Sequence, residues 1–291
     1  MSQPLKLIIL ARDQSKHVQD AWKEIRSFLD KQSDVEILAA AVTDDIDVSN
    51  LNPDLAVVLG GDGAILRACR HFNRRQIPLL GINLGRLGFL ADLSPQEFCE
   101  QFPRIQRRQY KVVSHLMFEC RSSFADGREE THLGLNEIVL SSQTLHMMDV
   151  ELQVDGERVT TYSCDGLILS TPVGSTAHSL SAGGPILRQD LPAFVITPVC
   201  PHSLTNRPLV DSAESVFRLT IPKSPNGVIG IIDGQIRFPV TEDEVIEVRR
   251  ADETFQLVKL PGHSYYEMLH RKLGWAGQPR YRRAAAEEDH D

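Results

Sequence analysis

At 291 residues, with 42% apolar and 24% charged residues, the chain has the composition of a globular protein large enough for one big domain or two ordinary ones. A net charge of −8 excludes a general nucleic-acid binder, because no basic excess exists to neutralise phosphates; no apolar run approaches membrane-spanning length. Five cysteines, Cys69, Cys99, Cys120, Cys164 and Cys200, form no CxxC pair, which predicts reduced thiols in a cytoplasmic protein rather than a disulfide frame or a zinc site.

The segment Met1 to Leu10 has too short an apolar core for a signal peptide. Lys6 to Leu10 reads as a strand, and Val18, Ala21, Trp22, Ile25, Phe28 and Leu29 then trace one helical face. Val35 to Val42 reads as a second strand, followed by a solvated acidic loop from Thr43 to Asp47. Leu55 to Leu59 is a Val- and Leu-rich run of the kind found in buried parallel strands. Gly60-Gly61-Asp62-Gly63 comes next, and then Ala64, Ile65, Ala68, Cys69 and Phe72 at helical spacing. Strand, glycine turn and helix make half of a βαβ unit, with the turn at the strand end where open α/β sheets bind ligands.

The glycines let a ligand approach bare backbone, and the start of the helix favours an anion. Asp62 is the odd member, since a carboxylate repels phosphate. It reads as an acceptor for a sugar hydroxyl, a general base, a ligand for Mg²⁺, or simply a helix cap. Pro78 to Asn83 is a further strand, and Asn83 to Phe89 is a second glycine loop expected beside the first, with Arg86 a candidate phosphate contact. Ser94 and Glu97 spell a capping box with Pro95 at the first helical position. The alternation predicts a Rossmann-like, doubly wound α/β domain over residues 1–112.

Beyond Tyr110 the helical spacing nearly disappears. Short strands are expected at Ile138–Leu140, Val150–Val154, Leu167–Leu169, Phe194–Thr197, Val216–Ile221, Val228–Ile232, Val245–Val248 and Phe255–Leu260, with hairpin signals at Asp155-Gly156 and Asp233-Gly234. This predicts an all-β domain over 113–261, then a C-terminal helix and segment over 262–279 that returns to the N-terminal domain, and a charged, disordered tail over 280–291.

Three stretches of the β region could carry chemistry. Asn136 and Glu137 stand at the mouth of an apolar strand, placed to hold hydroxyls. Cys164 to Pro185 is dense in small and hydroxyl residues, which suits a flat ligand and its polar edge. Pro201 to Val210 carries His202 and Arg207, a second candidate phosphate contact, ahead of Asp233-Gly234-Gln235. The chain has neither a GxxxxGK[ST] loop nor a GxGxxG fingerprint, and lacks the GxSxG spacing of a hydrolase.

These stretches, in this order and over nearly the whole chain, resemble the NAD kinase family; the segment from Ser264 to Trp275 is similar to the ending of bacterial members. The Gly-Gly-Asp-Gly turn alone is shared with lipid kinases and phosphofructokinases. The resemblance implies a dinucleotide held between the two domains and phosphoryl transfer from ATP, or polyphosphate in some members, to the 2′-hydroxyl of the adenosine ribose of NAD. It makes Asp62 the essential aspartate, with Gly61 and Gly63 around it, Asn136 and Glu137 the ribose-side pair, and Thr176, Ala177, His178 and Ser181 the adenine-side loop. Asp165 and Asp233 match acidic positions near the dinucleotide. Gly60 and Arg67 join Arg86 and Arg207 as candidate phosphate contacts. Mg²⁺ is implied as the companion of the phosphate donor, and a homodimer or homotetramer as the assembly, with no nucleic-acid or membrane partner. Val173 and His178 stand where the family has Thr and Tyr. Two other classes share part of this pattern: a lipid or sphingoid kinase, and a non-catalytic NADP-binding regulator.

Overall fold

Alternating side-chain direction along the first strands decides the layering. In β1 (Leu5–Ala11) and β3 (Leu55–Leu59), Leu7, Ile9, Leu55 and Val57 face one way, and Ile8, Leu10, Ala56 and Val58 the other. The first set packs under α1 (Lys16–Leu29) and α3 (Pro95–Gln106); the second packs under α2 (Asp62–Phe72). With β2 (Val35–Val42) and β4 (Leu79–Ile82) the strands run parallel in the order β2-β1-β3-β4. β1, β3 and β4, buried on both sides, need the continuous apolar runs seen in the sequence, whereas β2 at the edge is only partly buried. The capping box at Ser94 is formed in both directions. This computed structural model describes residues 3–85, 88–91, 93–124, 127–144, 146–203, 205–222, 227–242, 244–262 and 264–274. The candidate Arg86, Trp275 and the expected tail over 280–291 lie outside the described residues.

From Lys111 to Lys259 the described residues form a mainly antiparallel β region of two facing sheets. One holds β7 (Glu137–Ser142), β10 (Gly166–Ser170), β11 (Ala193–Val199), β12 (Leu209–Ser212), β14 (Val228–Ile232) and β15 (Ile236–Val240), in the order β12-β11-β10-β7-β14-β15. The other holds β5 (Lys111–Ser123), β6 (Glu129–Gly134), β8 (Met148–Val154), β9 (Glu157–Cys164), β13 (Phe217–Thr220) and β16 (Val245–Lys259). Phe118, Leu140, Leu152, Leu169, Phe194, Phe217 and Val248 fill the space between them. Asp155 and Gly156 both take positive φ, 51° and 83°, as the twist of a two-residue hairpin requires.

One strand departs from the sequence expectation. Val245–Val248 and Phe255–Leu260 are not separate strands: they belong to the single β16, irregular between Arg250 and Thr254. Its first half pairs β13, and its second half meets β4 at Leu257 and Leu79, so the parallel and antiparallel regions share one continuous sheet. The last helix, α5 (Tyr265–Leu273), does return to the N-terminal region. Met268 and Leu269 bury Phe89 of the second glycine loop, together with Ile186 of the β region.

Candidate functional site

The turn after β3 delivers Asp62 as the first residue of α2, with Gly61 as the cap. Gly60 donates its N–H to the Ile82 carbonyl at 2.9 Å, which ties the turn to the end of β4. The Asp62 side chain does not cap its own helix. Its carboxylate accepts three successive backbone N–H groups across the sheet edge: Phe89 on Oδ2 at 2.7 Å, and Leu90 and Ala91 on Oδ1 at 3.0 and 3.2 Å. The second glycine loop therefore lies beside the first, and Asp62 holds it there. Gly88 is what makes room: a Cβ at that position would fall 2.0 Å from Asp62 Oδ1. An ionised carboxylate offers about four lone-pair positions. Three are taken, leaving about one on Oδ2 for a substrate hydroxyl.

A second carboxylate repeats the arrangement. Asp233, in the β14–β15 hairpin, accepts the N–H groups of Leu135, Asn136 and Glu137 at 2.8, 2.7 and 3.1 Å. This fixes the dipeptide that the sequence singles out. Glu137 is only 6% exposed, and its Oε2 has no partner. Burial, reinforced by the Asp233 carboxylate, pushes its pKa up to about 8. Burial raises Asp233 as well, to about 6, against the three N–H groups that hold it down; it remains the stronger acid of the two, so at neutral pH the charge sits on Asp233 and the proton on Glu137. Next in the same hairpin, the Gln235 amide donates to the Gly63 carbonyl at 3.0 Å, joining the Asp233 turn to the start of α2.

The hydroxyl-rich stretch packs on the same backbone. Thr171 donates its N–H to the Asn136 carbonyl at 2.9 Å and its hydroxyl to the Leu135 carbonyl at 2.6 Å. Gly174 sits so close that a Cβ there would be 2.2 Å from the Asn136 carbonyl oxygen. The hydroxyls do not stand open to a ligand as their density suggests. Ser175 and Thr176 donate to the carbonyls of Pro172 and Val173, and Ser179 bonds Thr197. They knit the loop and deliver Ala177, His178 and Ser181 to its surface, the last two exposed at the short helix α4 (His178–Ser181). Val173 packs into the core with Ala64, Leu90 and Leu135, so an apolar residue suits the position.

Four residues that the sequence singles out, Asp165, His202, Arg207 and Arg67, do not join this cluster within the chain. Asp165 is exposed at the start of β10, six residues and roughly 20 Å of strand from Thr171. His202 shares that far end, donating its N–H to the Ser163 carbonyl at 2.9 Å, and the exposed Arg207 follows it, with its guanidinium on the Asn206 carbonyl at 2.8 Å. Arg67 faces the acidic loop instead, where Asp44 lies 3.2 Å away with Arg70 at 3.9 Å. The sequence reading gave no individual role to Gly88, Thr171 or Gln235, whose parts are backbone contacts between segments distant in the chain. No group of three or more His, Cys, Asp or Glu side chains able to hold a metal ion is found among the described residues.

The family model described as ATP-NAD kinase N-terminal domain matches residues 9–110, and the one described as ATP-NAD kinase C-terminal domain matches 135–260. A curated NAD kinase of Rhodopirellula baltica is 41% identical over 276 residues, 94% of this chain and 88% of that protein. The chain belongs to the NAD kinase family. The C-terminal NAD kinase match opens on Leu135, the first of the residues that Asp233 holds. Among solved structures, yeast NADH kinase complexed with NADH superposes with a TM-score of 0.86 at 25% identity, over 96% of this chain and 90% of that one. An NAD kinase from Archaeoglobus fulgidus in complex with ATP gives 0.72 at 27% identity, over 94% and 100%.

Proposed function

We infer that the chain is a phosphotransferase that moves the terminal phosphoryl group of ATP to the 2′-hydroxyl of the adenosine ribose of NAD, giving NADP and ADP. One observation carries the reading: in a chain of this family, the Asp62 turn and the Asn136-Glu137 dipeptide are locked side by side through Gln235 and Gly63. Phosphoryl transfer is mainly positioning and charge stabilisation, and this hydrogen-bonded frame supplies positioning. Asp62 accepts the hydrogen bond of the attacking hydroxyl on its remaining lone pair and takes up its proton. Neutral Glu137 donates an O–H to a neighbouring ribose oxygen, with Asn136 beside it. Gly60, Gly61 and Gly63 line the start of α2, where backbone N–H groups favour phosphate. Ala177, His178 and Ser181 form the adenine-side surface, with Thr176 buried beneath them and bonded to the Val173 carbonyl.

Mg²⁺ belongs here as part of the substrate. Magnesium is usually held by one or two carboxylates and the substrate's own phosphates, which fits a site without a cage of three acidic or imidazole ligands among the described residues. Asp165 meets a dinucleotide only across a contact between two copies, since its own strand carries it away from Thr171. That supports a homodimer or homotetramer, as does Val210, 46% exposed on the edge strand β12. The five free cysteines suit a cytoplasmic protein, and no helix among the described residues is long and apolar enough to cross a membrane.

The test is product analysis with NAD, Mg²⁺ and either ATP or polyphosphate. NADP formation is expected. Phosphorylation of a lipid or sphingoid base with NAD untouched would favour the lipid-kinase class, and NADP binding without turnover would favour a regulator.

A further inference from the structure

The outward face of α2 carries Gly63 at the glycine turn, then Arg67 and Arg70 one and two turns further on, while Leu66, Ala68 and Cys69 turn into the core. Both arginine side chains are partly open to solvent, at 37% and 35% exposure. Two walls flank them. One is the loop after β2, pinned to α2 where His71 donates to the Ile46 carbonyl and Arg75 to the Ser49 carbonyl, each at 2.6 Å. The other is the β14–β15 hairpin, bonded to Gly63 through Gln235 and close enough to Arg70 for that charge to oppose the burial that raises the Asp233 pKa. The arginines therefore line a lane that begins at the Asp62 turn, on the strand-end edge where open α/β sheets bind ligands.

A single carboxylate occupies the lane. Asp44 accepts Arg67 on Oδ2 at 3.2 Å, while Arg70 stands 3.9 Å from Oδ1, beyond hydrogen-bond reach. The Arg70 guanidinium makes no hydrogen bond among the described residues. Two guanidiniums thus share one carboxylate, on a side chain that is itself 51% exposed. Exposed ion pairs of this kind are weak, and a rotation of the Asp44 side chain leaves both arginines to meet a stronger anion. The reaction requires cations here. A phosphate donor must approach the Asp62 carboxylate, which repels it, and the start of α2 offers only about half a charge against a chain of phosphates. Phosphoryl-transfer sites offset such charge with arginine, lysine or a metal ion.

We propose that Arg67 and Arg70 seat the phosphate chain of the donor, and that Asp44 is a placeholder which the incoming phosphates displace. This placement rests on the phosphotransferase reading and gives the donor its position in it. The terminal phosphate lies at the glycine turn beside Asp62. The phosphates behind it run along α2, where each guanidinium presents a planar fork of N–H groups that matches phosphate oxygens. At a rise of about 1.5 Å per residue, Arg67 and Arg70 stand about 7.5 and 12 Å along the axis from Asp62, within the combined reach of a triphosphate and two arginine side chains. Because the contacts are to phosphate alone, ATP and a linear polyphosphate enter the same lane.

Donor kinetics and direct binding test this in the full chain. Arg67→Ala and Arg70→Ala should each raise the KM for ATP about tenfold with the KM for NAD unchanged, and Arg67→Lys and Arg70→Lys, which keep the charge, should recover part of the loss. Asp44→Asn removes the placeholder and should lower the KM for ATP about two- to fivefold, the scale of an exposed ion pair. Asp45→Asn removes an equal charge from the same turn, at a side chain with no ion pair among the described residues, and should change it less. Calorimetry with inorganic tripolyphosphate and Mg²⁺, without NAD, should show saturable binding that weakens in both alanine variants and tightens in Asp44→Asn. No saturable tripolyphosphate binding, a KM for ATP that neither alanine variant moves, a loss for ATP without a loss for tripolyphosphate, or an Asp44→Asn effect no larger than that of Asp45→Asn would overturn the proposal. Tripolyphosphate binding that follows these variants in a protein that makes no NADP counts against the kinase reading alone.

Discussion

Asp62→Asn is close to isosteric, yet the structure gives it a specific cost. The carboxylate accepts three backbone N–H groups, one on Oδ2 and two on Oδ1. An amide keeps one oxygen, and its NH₂ must then point at a backbone donor. If the oxygen retains Leu90 and Ala91, the Phe89 N–H faces another donor. A hydrogen bond to a charged group contributes about 1.5–3 kcal/mol net, against about 1 for a neutral pair. Because Asp62 is half-buried and water recovers part of the loss, a local destabilisation of about 2–3 kcal/mol is expected. It falls on the 88–91 segment and on α5, which packs on Phe89, rather than on the whole domain. Amide hydrogen exchange reads this directly: protection of Phe89, Leu90 and Ala91 should drop about 30- to 150-fold at constant global Tm, at about 1.4 kcal/mol per factor of ten. The value of kcat should fall by about 10²–10⁴, the usual contribution of a general base. A variant with low kcat and unchanged protection of these amides would refute the claim that Asp62 shapes the loop. Lost protection with near-normal kcat would refute its part in the chemistry.

Gly88→Ala places a methyl 2.0 Å from Asp62 Oδ1, and should abolish activity and raise the exchange of the same three amides while leaving the β region intact by NMR. Glu137→Gln should flatten the dependence of Tm on pH. The folded pKa of Glu137, about 8, lies above its ordinary 4.5, so its contribution to stability is full below about pH 4.5 and is lost as pH rises towards 8. The variant should exceed the native protein in Tm above pH 8, and a native Tm that does not decline across that window would contradict the protonated assignment. His178→Ala should weaken NAD binding about fivefold, near the lower limit of about 1 kcal/mol for stacking a base on a ring, with equal affinities meaning that the exposed ring does not touch adenine.

Much of the architecture was legible because it rests on local periodicity. The strand, turn and helix through Leu55 to Phe72, the capping box at Ser94 and the Asp155-Gly156 hairpin all depend on residues close in sequence. The bend inside β16 was not, since Arg249 to Thr254 is polar and reads as a loop. It is held extended by pairing with β5 along both halves. The hydroxyls of Ser175, Thr176 and Ser179 misled for a related reason. Composition shows that they can bond to a ligand, whereas the fold has them bond to neighbouring backbone first. Asp165 was grouped with Asp233 through the family resemblance, and within one chain a strand length separates it from the Thr171 end of the site.

The two aspartates carry the general point. Asp62 and Asp233 each present a carboxylate to three consecutive backbone N–H groups of a segment far away in sequence, residues 89–91 and 135–137. Successive N–H groups converging on one point form an anion-binding concavity, a device more familiar as a phosphate cradle. Here the anion is part of the protein, so it locks the turn that bears it against the loop that bears the amides. For Asp62 that lock stands at the start of α2, and for Asp233 it positions Glu137. The Gln235–Gly63 bond then ties the two locks together, so neither turn can shift without straining the other. A phosphoryl-transfer site needs this constraint, because its rate depends on holding an acceptor hydroxyl and a donor phosphate in line to within about half an ångström.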